Sequence, residues 1–197
     1  MQTLSQFWLP ILASAGLCWI ASALLWMVLP VHKNDFKNPG DKENTILDFV
    51  RTLGLAPGMY WVPYCDHGAD RKNPEKIAKM KTGPFAGLVV MAGVPNMGRS
   101  LGLWILNLLL IGFGIAYVAG SAGVKPDSTY WHLFKVVGIM AFMIHAGNAL
   151  TLSIWMGMPW GQLPGRIIDA VVYGALTAGS FAGFWPKAAA ALPAVTG

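Results

Sequence analysis

The side chains able to do chemistry fall in three places along this 197-residue chain. In the first, His145 is followed one helical turn later by Asn148, and Thr151 comes at the next three-residue step. Ala141 and Ala149 flank His145 at four-residue spacing, so on a helix this stripe would face other helices. Two readings are open for His145. It is either a neutral imidazole hydrogen-bonded to Asn148 or a neighbouring helix, or a cofactor ligand or proton-relay group. His132 precedes it by 13 residues. On one helix that spacing sets the two imidazoles about 20 Å apart, which would suit paired haem ligands. A bis-histidine site needs a second histidine-bearing helix, however, and no other long apolar segment has an internal histidine. His32 sits only at a segment end.

The second place is Asp169, one turn inside the last apolar segment, with Arg166 three residues before it. The pair is expected to form an interfacial ion pair, with Arg166 reaching the headgroups, or else to belong to a proton or ion pathway. Asn107, in another apolar segment, is expected to join helices as a buried amide. The third place is Cys65-Asp66-His67. A structural zinc site needs four ligands, mostly from two separated pairs. One Cys with no second pair favours a polar loop, so no metal site is assigned. No G-x-S-x-G, H-E-x-x-H or phosphate-loop pattern occurs, so no catalytic residue is assigned either.

The elements that must position these residues are apolar and long. Hydrophobic residues make up 55% of the chain and charged residues 12%, about half the charged share of a soluble domain. Mean hydropathy is +0.51. Four segments are expected to cross a bilayer as helices: about Phe7 to Val31, Ser100 to Ala122, Tyr130 to Met156 and Arg166 to Trp185. The tryptophans mark their ends, as indoles do at the hydrocarbon–water boundary. Trp8, Trp131 and Trp185 fall on one face, and Trp26, Trp104, Trp155 and Trp160 on the other. Trp19 and Trp61 fall outside this pattern. No Lys or Arg precedes the first segment, which argues for an anchor rather than a cleaved signal peptide.

The domain plan follows: a first transmembrane helix over 1–31, an extramembrane insertion over 32–98, three further helices over 99–188, and a flexible tail over 189–197. The insertion is too long for a bare loop and is expected to be a small α+β unit. Asn44 would cap a helix through Leu53, Asn73-Pro74-Glu75 would start another through Lys81, and two strands near Met59–Tyr64 and Phe85–Met91 would pair. The run Phe85 to Val90 could equally lie against the membrane surface. The fold class is therefore an all-α membrane protein with a small α+β insertion between helices one and two.

Ten of the fourteen Lys and Arg lie between Lys33 and Arg99, and Arg166 shares their side of the membrane. In a bacterial inner membrane the basic side is cytoplasmic. The insertion would then be cytoplasmic and both termini periplasmic. No basic helix or RNA-binding motif points to nucleic acid. Cys18 and Cys65 lie at different depths and are expected to be separate reduced thiols.

The last segment carries two rows of small residues. Ala170, Gly174, Ala178 and Ala182 form one, and Ala175, Gly179 and Gly183 the other. Such rows let membrane helices approach closely, either within the bundle or against another protein.

Several stretches resemble an uncharacterised family of small four-helix bacterial integral membrane proteins. They are Trp26-Met27-Val28-Leu29-Pro30 with His32-Lys33 and Asp35-Phe36, then Pro57-Gly58-Met59-Tyr60 and Asn96-Met97-Gly98. Tyr173-Gly174, Thr177-Ala178-Gly179 and Trp185-Pro186 complete the set. The resemblance implies four membrane helices with an insertion after the first, and it carries no activity, cofactor or catalytic residue.

Three functions compete on this reading. The leading one is a non-catalytic subunit or accessory protein of a larger membrane assembly, with the lipid bilayer and other membrane subunits as partners. The second is a haem- or quinone-linked electron-transfer protein using His145 and His132. The third is a small transporter or proton pathway using His145, Asn148 and Asp169.

Overall fold

The computed structural model describes residues 4–66, 68 and 70–186. His67, Lys187 and the tail over 189–197 lie outside the described residues. The chain divides into two units: Lys37–Asn96, and the residues on either side of it.

In the flanking unit, helix α1 spans Trp8–Ala23, after a 3-10 turn over Leu4–Phe7. Pro10 falls in the first turn of α1, where its missing N–H breaks no helical bond. The helix runs on as a π-helical turn over Leu24–Val28, closed by the Leu29 N–H donating to Leu24 O at 2.8 Å. Pro30 then starts a 3-10 turn through His32.

The Lys37–Asn96 unit holds helix α2 (Glu43–Leu53), strand β1 (Gly58–Val62), helix α3 (Pro74–Thr82) and strand β2 (Ala86–Val90). The strands pair antiparallel, Gly58 opposite Val90 and Trp61 opposite Gly87, so both expected strands form and join. The Trp61 indole lies over Gly87, where a Cβ would be in ordinary contact with it at 3.4 Å. Asn73 caps α3 as expected, its Oδ1 accepting from the Glu75 and Lys76 N–H groups. Asn44 does not cap α2. The chain is already wound by the 3-10 turn Gly40–Lys42, so the helix begins at Glu43 and Asn44 lies inside it. No residue of α2, β1, α3 or β2 is buried, and Ile46, Phe49, Leu53, Phe85 and Val89 are all exposed.

The flanking unit continues with α4 (Met97–Ser121), α5 (Tyr130–Trp155) and α6 (Leu163–Phe184). Among the described residues, four helices are long and apolar enough to cross a membrane: Ser5–Val28, Met97–Ser121, Tyr130–Trp155 and Trp160–Phe184. Helix α6 starts earlier than its apolar run suggested. Pro164 sits in its first turn, a position that favours proline, and so begins the helix instead of breaking the chain before it.

Small residues set the packing. Ala170, Gly174 and Ala178 are buried, and their row lies against α5. A Cβ at Gly174 would sit 3.3 Å from the Phe142 backbone nitrogen, and one at Gly138 would sit 3.3 Å from the Ala178 Cβ. Where α4 meets α1, a Cβ at Gly112 would come within 3.2 Å of Ile11. One core cluster joins Phe7, Ile115, Leu133, Val137, Phe181 and Trp185. Trp185, expected to mark a helix end, directly follows α6 and packs into this cluster. It is 5% exposed and packs edge-on against Phe7 at 4.9 Å. The second cluster, with Cys18, Leu25, Leu108 and Tyr173, leads to the site.

Candidate functional site

Helix α1 packs against α4 and α6, and α6 against α5, whereas α4 and α5 meet only loosely. The gap between α4 and α5 opens as a cleft of about 660 Å³. Its walls come from the end of α1 and the π-helical turn (Ser22, Trp26), the start of α4 (Ser100, Leu101, Trp104), the second half of α5 (His145, Asn148, Leu152) and the start of α6 (Arg166, Asp169, Tyr173). Ser22, Trp26, Ser100 and Arg166 lie within a few residues of a helix end, whereas His145 and Tyr173 lie near the middle of α5 and α6.

Indoles tie the walls together. Trp104 Nε1 donates to Ser22 Oγ at 2.9 Å, and Trp19 Nε1 donates to Leu101 O at 3.3 Å. Both bonds join α1 to α4. On the other side of α1, the Cys18 thiol lies 3.6 Å from Tyr173 O and from Thr177 Oγ1. Trp104 and Tyr173 face one another across the cleft base with ring centroids 6.1 Å apart.

A buried charge cluster closes the floor beside α6. His32 is 6% exposed, Asp35 8% and Asp169 8%. His32 Nδ1 lies 2.8 Å from Asp35 Oδ2, and Nε2 lies 3.1 Å from Asp169 Oδ1. Trp26 stacks on the imidazole at 3.8 Å, nearly parallel, and its Nε1 donates to Asp169 Oδ2 at 3.1 Å. Gly165 lets the ring in, since a Cβ there would approach it to 3.0 Å. Burial pushes the His32 pKa down. The hydrogen bonds to Asp35 and Asp169 and the charges of both carboxylates outweigh that, and hold it above the ordinary imidazole value. The charged form, donating from both nitrogens, satisfies the two acids at once and draws the Trp26 face by cation–π attraction. Gln162 extends the cluster. Its Nε2 donates to Asp35 O, and its Oε1 accepts from Arg166 Nη2 at 3.2 Å.

Several expected pairings change. Asp169 and Arg166 do not pair: Asp169 turns to His32 and Trp26, and Arg166 to Gln162. The i−3 spacing offered one partner, but an imidazole from the 3-10 turn fills the carboxylate's near side. His145 makes an edge contact with Tyr173 at 5.1 Å, and its Nε2 is buried without a hydrogen-bond partner. The hydrogen bond expected to Asn148 or a neighbouring helix is thus not made at Nε2. Asn148 lines the same cleft and is exposed. Asn107 is exposed on α4, not a buried link between helices. His132 is exposed in the first turn of α5, its N–H capped by Thr129 Oγ1 at 3.3 Å, and does not line the cleft. Gly179 lies outside the tightest α5–α6 contact, where a Cβ would come no closer than 3.9 Å to the Tyr130 hydroxyl of α5, and a Cβ at Gly183 would meet nothing within 4 Å. Cys65 is a free thiol, and its neighbour His67 lies outside the described residues.

Gln162 was not singled out in the sequence, and His32 and Asp35 were not expected beside Asp169. The usable signal was His32 and Asp35 at three-residue spacing directly after Trp26 and a helix-ending proline. No protein-family model, curated protein or solved structure matches this chain.

Proposed function

We propose that the protein is a multi-pass membrane protein whose helical unit binds an amphiphilic molecule in the cleft between α4 and α5. The observation that carries this reading is the cleft itself. It has apolar and aromatic walls, a few polar groups among them, and a volume of about 660 Å³, which falls within the range of small-molecule sites. It opens between two helices apolar enough to cross a bilayer, so a ligand can enter sideways from lipid without leaving a hydrocarbon-like medium. Binding needs no catalytic group.

Filling the cleft tests this. In Ser100→Trp with Asn148→Trp, both residues being exposed on the cleft walls, indoles occupy the space from two sides. Native mass spectrometry of the protein extracted in non-ionic detergent is expected to show a bound amphiphile on the wild type and its loss in the double variant. Equal retention in a folded double variant would remove the proposal.

A second reading, compatible with the first, is an accessory subunit of a larger membrane assembly. The Gly183 position of α6 supports it, because a Cβ there would meet nothing within 4 Å, which leaves room for a close helix approach. Placed in a bacterial inner membrane, the side that carries the excess of Lys and Arg between Lys33 and Arg99, with Arg166, is the cytoplasmic one. The Lys37–Asn96 segment would then be cytoplasmic and both chain ends periplasmic.

A further inference from the structure

We infer that the amphiphile has a single chain and an anionic head, a carboxylate or a phosphate, and that Arg166 receives that head; the inference rests on the cleft reading above. The cleft walls carry two charged side chains, Asp169 and Arg166, and they stand in opposite states. Both Asp169 oxygens are occupied, Oδ1 by His32 and Oδ2 by Trp26. The imidazole beside it opposes its charge. Asp169 therefore has little to offer a cationic head.

Arg166 has capacity left. A guanidinium carries five N–H donors, and one of them goes to Gln162 Oε1 at 3.2 Å. Among the described residues, no carboxylate lies within ion-pairing distance of it. Gln162 is itself fixed, being buried and donating to the Asp35 carbonyl. The guanidinium is thus anchored at one nitrogen, with its remaining donors unpaired at the cleft. A planar fork of this kind matches a carboxylate or phosphate. Ser100 and Asn148 add neutral hydrogen-bonding groups on the facing walls. Leu101, Trp104, Ala149 and Leu152 also line the cleft and suit a hydrocarbon chain. A volume of about 660 Å³ fits one drug-sized molecule, and this favours one chain over two.

The test is a titration of the purified full chain, in non-ionic detergent, with three probes of equal chain length. These are palmitate, palmitoyl-lysophosphatidylglycerol and the uncharged monopalmitoylglycerol, followed by native mass spectrometry. The better of the two anionic probes is expected to bind about tenfold tighter than the neutral one, the scale of a charge-assisted hydrogen bond. Which of the two it is tells a free fatty acid from a lysophospholipid. Arg166→Gln is expected to abolish the preference, and Arg166→Lys to keep most of it. Equal affinities in the wild type, or a preference that survives Arg166→Gln, would overturn the head-group assignment while leaving the cleft reading intact. Binding that persists unchanged in the Ser100→Trp, Asn148→Trp variant would instead overturn the cleft reading.

Discussion

At the scale of single residues, the site is organised around a histidine that the chain places just past a helix end. His32 satisfies Asp35 and Asp169 with its two nitrogens and offers its face to Trp26. Its pKa is raised on folding, so its contribution to stability is complete below the unfolded value, about 6.5. That contribution is lost as pH rises through the folded value. Thermal melting followed from pH 6 to pH 9 is therefore expected to fall in the wild type. It should fall less in His32→Gln, which has no imidazole to titrate. Removing one acid has a harsher effect. Asp169→Ala leaves the buried imidazole short of a partner and Trp26 Nε1 without its acceptor, and is expected to cost about 3–5 kcal/mol in unfolding measurements. This cluster was only half legible in the sequence. Asp169 stood out as a carboxylate inside an apolar segment, but the local i−3 neighbour Arg166 masked its true partner. That partner lies 137 positions away in the chain. Long-range pairing depends on how helices are juxtaposed, and spacing along one helix does not encode it.

At the scale of elements, the apolar segments were legible to within a few residues, because length and hydropathy decide them. Which face of each helix packs was less so. Two rows of small residues on α6 looked equivalent in the sequence. Only the row of Ala170, Gly174 and Ala178 is used, against Phe142 and Gly138 of α5. The difference lies in the rotation of α6, and a row of glycine and alanine does not reveal which way it faces. Gly174→Leu would push a side chain into the α5 backbone and is expected to destabilise the unit by about 1–3 kcal/mol in thermal or denaturant unfolding. Gly183→Leu, with open space before it, is expected to leave the melting temperature of the isolated protein unchanged. The tryptophans divided in the same way. Their positions along the chain marked helix ends, yet Trp26, Trp104 and Trp19 spend their N–H groups on neighbouring elements and Trp185 is packed inside.

At the scale of the whole molecule, the orientation proposal has a natural reporter in Cys65. It is a free thiol in the Lys37–Asn96 segment, while Cys18 is buried in the helical unit. With the protein expressed in a bacterium, a membrane-impermeant maleimide is expected to label Cys65 only after the inner membrane is broken. Labelling in intact spheroplasts would reverse the orientation. Occupancy of the cleft between α4 and α5 is tested most directly by a photoreactive fatty acid incorporated into membranes holding the intact protein. Peptide mapping of the cross-links is predicted to concentrate them on Met97, Ser100 and Leu101 of α4 and on Asn148 and Leu152 of α5, which line the cleft. Labelling spread evenly over outward residues such as Leu106, Leu110 and Ile139, with no excess at the cleft, would contradict it.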